Sequence, residues 1–143
     1  MEVSEDNQSY KMEDGVLYSK DGSCLILYLK GNDKTEFTVP STVKTICEYA
    51  FSESKLTTII VSDSVETIGD SAFERCMNLT TVVIGKNVTE MGQNLLVSCD
   101  KLESVTFEDT DAWYNGEEQV DVTDPEKNAE RFKDGYCGFW YKE

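Results

Sequence analysis

One apolar pattern is written three times through the middle of this chain and begun a fourth time. Its strand-like starts, Phe37, Ile59, Val82 and Val105, are 22, 23 and 23 residues apart. The second copy is the fullest. It runs Leu56-Thr57-Thr58-Ile59-Ile60-Val61, a turn at Ser62-Asp63-Ser64, Val65 and Ile68-Gly69, then Ala72-Phe73, Cys76 and Leu79. A fixed period in this range constrains a chain to a solenoid, because one unit cannot bury its apolar face except against its neighbours.

Within each unit the β-branched run alternates with period two, so Leu56, Ile59 and Val61 face a core and Thr58 and Ile60 face away from it. Stacking the units predicts a core column of Val39, Val61, Ile84 and Phe107, a second of Val43, Val65 and Val88, and Phe51, Phe73 and Leu96 behind them. Gly69 and Gly92 stand where the coil turns a corner, and glycine is expected there for its access to positive φ. After the corner, Asp70 to Cys76 is expected to make one or two helical turns capped by Asp70. Ser54, Cys76 and Cys99 share one repeat position and read as small buried side chains, with the two cysteines unpaired because their side chains should point in parallel; a disulfide between them is the alternative on distance alone.

The flanks are different in kind. Gly15-Val16-Leu17-Tyr18 and Cys24 to Leu29 surround the turn Lys20-Asp21-Gly22 and predict a β-hairpin leading into the first repeat. Beyond Phe107 the period is lost. Asp124-Pro125 is a helix start, with Asp124 as N-cap, and the helix should run to about Lys133 before a stop at Asp134-Gly135. Gly138 to Lys142 reads as a final strand. The aromatic clusters Trp113-Tyr114 and Phe139-Trp140-Tyr141 suit an element that closes the open end of a solenoid; the alternative is an aromatic platform for a sugar.

Charge and composition exclude several functions. The net charge is −15, with 12 acids against 4 bases in residues 103–143, and no basic stripe exists to neutralise nucleic-acid phosphates. No run of 18 apolar residues occurs, so no membrane insertion is expected. Met1 to Asn7 lacks the basic and apolar regions of a signal peptide. This leaves two readings, retention in the cell or removal of a signal ahead of this numbering. The chain has no His, which removes the Ser-His-Asp and Cys-His nucleophile systems. Five cysteines form no C-x-x-C pair, and a zinc site is not expected. Asp109, Asp111, Glu117, Glu118, Asp121 and Asp124 read as solvated acids; a calcium ion is the alternative, without a twelve-residue loop pattern to hold it. No cofactor is implied.

The string Ile59, Val61, Val65, Ile68-Gly69, Ala72-Phe73, Cys76, Leu79 resembles the BspA-like leucine-rich repeat almost position for position, and the hairpin and tail resemble segments found around such repeats. Cys47 in place of the corner glycine and Leu95-Leu96 in place of Ala-Phe are local departures. The resemblance implies a right-handed βα solenoid of α/β class, with three full repeats and a fourth strand, an N-terminal β-hairpin and a C-terminal α+β cap. The loss of period at both ends divides the chain into a disordered N-terminus (1–9), the hairpin and repeats (10–108) and an acidic capping segment (109–143). The resemblance also implies a non-enzymatic binding module at a bacterial cell surface or secreted, acting in adhesion. The alternative is a structural or scaffold unit of a larger assembly, including one in the cytoplasm. The expected partner is a protein of a host or neighbouring cell, and the chain is expected to be a monomer. The candidate partner-binding face is the outward column Thr38, Ile60, Val83 and Thr106, with Thr58 and Thr81 beside it.

Overall fold

In the computed structural model the described residues are 1–133 and 138–143. The expected helix stop at Asp134-Gly135 and the fifth cysteine, Cys137, lie outside them.

The alternating runs of the repeats form two stacks of parallel strands. The first stack is β4 (Glu36–Thr38), β6 (Thr58–Ile60), β8 (Thr81–Ile84) and β10 (Ser104–Phe107), a four-stranded sheet in the order β10-β8-β6-β4. Its register pairs Phe37 with Ile59, Ile59 with Val82 and Val82 with Val105, as the repeat period requires. The second stack is β5 (Thr45–Ile46), β7 (Thr67–Ile68) and β9 (Glu90–Met91), also parallel. It is the centre of a nine-stranded sheet. On one side that sheet continues through the hairpin strands β3 (Cys24–Tyr28), β2 (Val16–Ser19) and β1 (Tyr10–Glu13). On the other it continues through β13 (Trp140–Lys142), β11 (Trp113–Asn115) and β12 (Glu118–Val120). The chain is therefore a β-solenoid of about four turns.

The expected core columns are buried. Val39, Val61, Ile84 and Phe107 line one wall, Val43, Val65 and Val88 a second, and Phe51, Phe73 and Leu96 a third. Aromatic packing ties the first repeat to the hairpin, with the Tyr28 and Phe51 rings 5.5 Å apart and Phe37 5.2 Å from Tyr28. Ser54, Cys76 and Cys99 are buried in one column. The two cysteines are thiols that donate to the carbonyls of Phe51 and Phe73, both at 3.1 Å.

The third side of each coil departs from the expectation. Asp70 to Cys76 is a run of turns, not a helix, and so are its counterparts in the other repeats. Alternate amides point to the next coil. Tyr49, Phe51 and Glu53 N–H donate to the carbonyls of Asp70, Ala72 and Glu74 at 3.1, 2.8 and 3.0 Å. Ser71, Phe73 and Arg75 repeat this onto Gln93, Leu95 and Val97. The intervening amides close tight local turns, such as Ser52 N–H on Tyr49 O at 3.0 Å. A helix is about 10 Å wide while stacked strands sit about 4.8 Å apart, so a helix on every coil would splay the stack. The turns follow the strand spacing and satisfy their backbone between coils. Asp70 accordingly caps no helix; its Oδ1 accepts from Gln93 N–H of the next coil at 2.8 Å.

The corner glycines are also needed for another reason than expected. Positive φ falls on Tyr49, Glu53, Ser71, Arg75, Asn94 and Ser98 in the turn runs, and not on Gly69 or Gly92. What the glycines provide is close approach. A Cβ on Gly69 would lie 2.5 Å from Glu48 N, and one on Gly92 2.4 Å from Asp70 N, both backbone atoms of the coil before. Gly69→Ala should therefore lower stability by about 1–3 kcal/mol, read from a urea midpoint. An unchanged midpoint would mean that the corner has room for a methyl group.

At the N-terminal end, β2 and β3 form the expected hairpin, with Asp21 Oδ1 accepting from Ser19 and Ser23. Strand β1 was not anticipated. It pairs antiparallel with β2 across Asp14-Gly15, whose φ angles of 49° and 75° suit a tight hairpin turn. At the C-terminal end, α1 (Pro125–Lys133) begins where expected, with Asp124 Oδ1 accepting from Glu126 and Lys127 N–H at 3.1 and 3.2 Å. This is the single helix among the described residues. It packs on β10, and Asn128, buried on its inner side, donates to the carbonyls of Val105 and Val122 at 2.9 and 2.8 Å.

Candidate functional site

All six candidate face residues lie on the outer side of the four-stranded sheet. Alternation dictates this, because Ile59, Val82 and Val105 between them are fully buried. The register aligns Thr38 with Ile60, Ile60 with Val83 and Val83 with Thr106 in one column, and Thr58 with Thr81 in the next. Glu36 and Ser104 extend the second column at its two ends. Thr38 and Ile60 are exposed, Ile60 at 39%, while Val83, Thr106, Thr58 and Thr81 are half-buried. Four strands span only about 15 Å across, so the face is small.

The borders of the face differ. On the side that leads into the strands, hydroxyls serve the stack: Thr57 Oγ1 donates to Thr35 O at 3.0 Å and Thr80 Oγ1 to Thr57 O at 3.1 Å. These threonines staple one coil to the next. On the side that leaves the strands stands a charged ridge that the sequence reading did not single out. Lys86 Nζ lies 2.8 Å from Asp63 Oδ2, and Lys86 N–H donates to Asp63 Oδ1 at 3.1 Å. The hydrogen bonds from Lys86 hold the Asp63 carboxyl below its ordinary range. Glu108, beside Asp63 on the same ridge, is pushed up by its hydrogen bond with that carboxyl. The signal for this ridge was present, since Asp63 and Lys86 occupy one repeat position 23 residues apart. A hollow of about 300 Å³ adjoins the face at Thr38, between β4 and the hairpin, where Glu13, Tyr18 and Pro40 border it. Hollows of about 620 and 670 Å³ lie elsewhere, one against Leu27 and Leu29 and one between Arg75 and Asp100.

Three of the six candidate acids of the C-terminal segment are engaged separately. Asp109 pairs with Lys142, Asp121 accepts from Thr123, and Asp124 caps α1. Among the described residues no group of three Asp, Glu, Cys or His side chains is placed to hold a metal ion. No helix of the described residues is long and apolar enough to cross a membrane. What the sheet face presents is a shallow apolar strip between threonine hydroxyls.

Residues 29–115 match the family described as BspA type leucine rich repeat region (6 copies). The match starts in the turn after β3 and ends on β11, so it contains the whole four-stranded sheet. Among solved structures, a leucine-rich repeat protein from Eubacterium ventriosum is similar at 41% identity and a TM-score of 0.73, over 76% of this chain and 29% of that one. The pneumococcal vaccine antigen PcpA is similar at 25% identity and a TM-score of 0.60, over 74% of this chain and 32% of that one. A leucine-rich repeat protein of Treponema pallidum shares the fold at 22% identity and a TM-score of 0.55, over 75% of this chain and 50% of that one. The chain thus spans about three-tenths of the length of the first two. No curated protein matches it.

Proposed function

The chain belongs to the BspA-type leucine-rich repeat family, and from that membership we propose that it is a non-enzymatic module that binds a protein partner. The binding face is the outer side of the four-stranded sheet, and the module acts as a monomer in adhesion at a bacterial cell surface or after secretion. The observation that carries this reading is the column of Ile60 and Val83. Two apolar side chains stand in register on the solvent side of adjacent strands, in a row otherwise made of threonine. The likeness to a pneumococcal vaccine antigen, PcpA, supports display at the surface. A right-handed winding and a capping role for residues 109–143 are part of the same reading. Affinity should be modest, because a face of this width is smaller than a standard protein interface.

The test replaces Ile60→Lys together with Val83→Lys. Purified extracellular proteins of host and neighbouring cells, titrated against the chain, should yield a partner that the double variant no longer binds. Stability should change by less than about 1 kcal/mol, because both side chains face solvent. Undiminished partner binding by the folded double variant would place the interface elsewhere.

A further inference from the structure

Alternation along β13 and β11 sends their aromatic rings to opposite sides of the sheet. Trp113 and Trp140 go inward and are 1% exposed, packed around Phe107. Tyr114, Tyr141 and Phe139 go outward and form a stack of their own. The Tyr114 and Tyr141 rings are 5.4 Å apart and 12° from parallel, and Phe139 follows at 6.5 Å and 25°. Phe139 is 42% exposed and the two tyrosines are half-buried. Core formation requires the tryptophans; it does not require three aligned rings on the solvent side.

Among the described residues, the charged groups recorded against the stack are acidic. Glu90, exposed on β9, is the register partner of Tyr141. The charge of Glu143 beside Tyr114, with a hydrogen bond to the same carboxylate, pushes that phenol above its ordinary value. The nearby base, Lys142, alternates to the other side of β13 and is tied to Asp109. Among the described residues the recorded cation over a ring is Lys11 over Tyr18, in the N-terminal hairpin. Ring faces attract cations through their quadrupole, and flanking carboxylates add to that attraction. A second copy of the chain is a poor occupant, since both copies would carry −15.

We propose that Tyr114, Tyr141 and Phe139, with Glu90 and Glu143, form a second docking surface that takes arginine-bearing segments of a partner protein. The guanidinium is the fitting group because it is planar, always charged, and able to stack on a ring while it pairs with a carboxylate. This surface lies on the nine-stranded sheet and is independent of the Ile60–Val83 column.

The probe is a blocked peptide of alternating arginine and glycine, titrated against the full chain by calorimetry at low and physiological salt. Its control is the citrulline peptide, of the same shape but without the charge. The arginine peptide should bind at least about tenfold tighter than the control, and ring-proton resonances of Tyr114, Tyr141 and Phe139 should shift. Tyr114→Thr with Tyr141→Thr, which keeps β-forming residues in the strands, should lower the affinity about tenfold, while Tyr141→Phe should preserve it. If the threonine variant does not fold, Glu90→Gln with Glu143→Gln leaves the rings in place and should weaken arginine binding severalfold. Equal binding of the citrulline peptide would overturn the proposal. So would full affinity in the folded threonine variant, which would mean diffuse attraction to acids, or resonance shifts confined to other residues. Preferential binding of a neutral hexose oligosaccharide would assign the rings to a sugar instead.

Discussion

Phe73→Ala should lower the stability of this chain by about 3–5 kcal/mol, the range for removing a large aromatic side chain from a packed core. Phe73 has no exposed surface and stands in the middle coil. Its ring is 5.5 Å from that of Phe51, which in turn contacts Tyr28 and Phe37 at the same distance. The cavity left by alanine would therefore interrupt a ladder of rings that runs from the hairpin into the second repeat. The backbone around it has little freedom to collapse, because the N–H groups of Ser71, Phe73 and Arg75 are committed to the next coil. Domains of this size have about 5–15 kcal/mol in total, so the loss is a large share of the stability. Urea denaturation of the variant and the parent measures it. A difference under about 1 kcal/mol would mean that the site repacks freely or that Phe73 is not in the core.

Removal of residues 109–143 should have the larger effect and make the chain aggregate. Two strand edges open together. Strand β13 pairs with β9 through Trp140–Met91 and Tyr141–Glu90, so its loss uncovers the edge of the nine-stranded sheet. Helix α1 covers β10, and its loss uncovers the edge of the four-stranded sheet. Phe107 also loses Trp113 at 5.1 Å and Trp140 at 6.2 Å. Unpaired edges beside exposed apolar rings are templates for pairing with other chains. Light scattering after gel filtration should show concentration-dependent assemblies. A monomeric truncated chain of unchanged stability would sink the capping role. A milder variant keeps that role testable in a folded chain. Asn128→Leu removes the donor that serves Val105 O and Val122 O and should cost about 1–3 kcal/mol, the penalty for stranding a buried polar group.

What the sequence determined by itself is what local chemistry dictates. The 22- and 23-residue spacing set the strand register, because equal copies stacked in parallel leave one pairing that buries every alternate residue. The same alternation is enough to place Thr38, Ile60, Val83 and Thr106 outward. The start of α1 followed from Asp124-Pro125, since a cap and a fixed φ act within a few residues of themselves. Asp14-Gly15 carried an equally local signal for β1, but the strand before it, Tyr10 to Glu13, has too weak an apolar face to be read as one.

Tertiary structure alone decided the rest, and in each case through a partner remote in sequence. The Asp70–Cys76 segment has a short apolar stripe that suits a helix, and nothing within it reveals that its amides will find carbonyls 22 residues away. Gly69 looks like any flexible corner until the backbone at Glu48 comes within reach of its missing side chain. In the sequence each aromatic cluster of the tail reads as a unit, with all of its rings in the same role. The pairing of β13 with both β9 and β11 divides them, with the tryptophans in the core and the other rings in solvent, because neighbouring residues of a strand cannot face the same way.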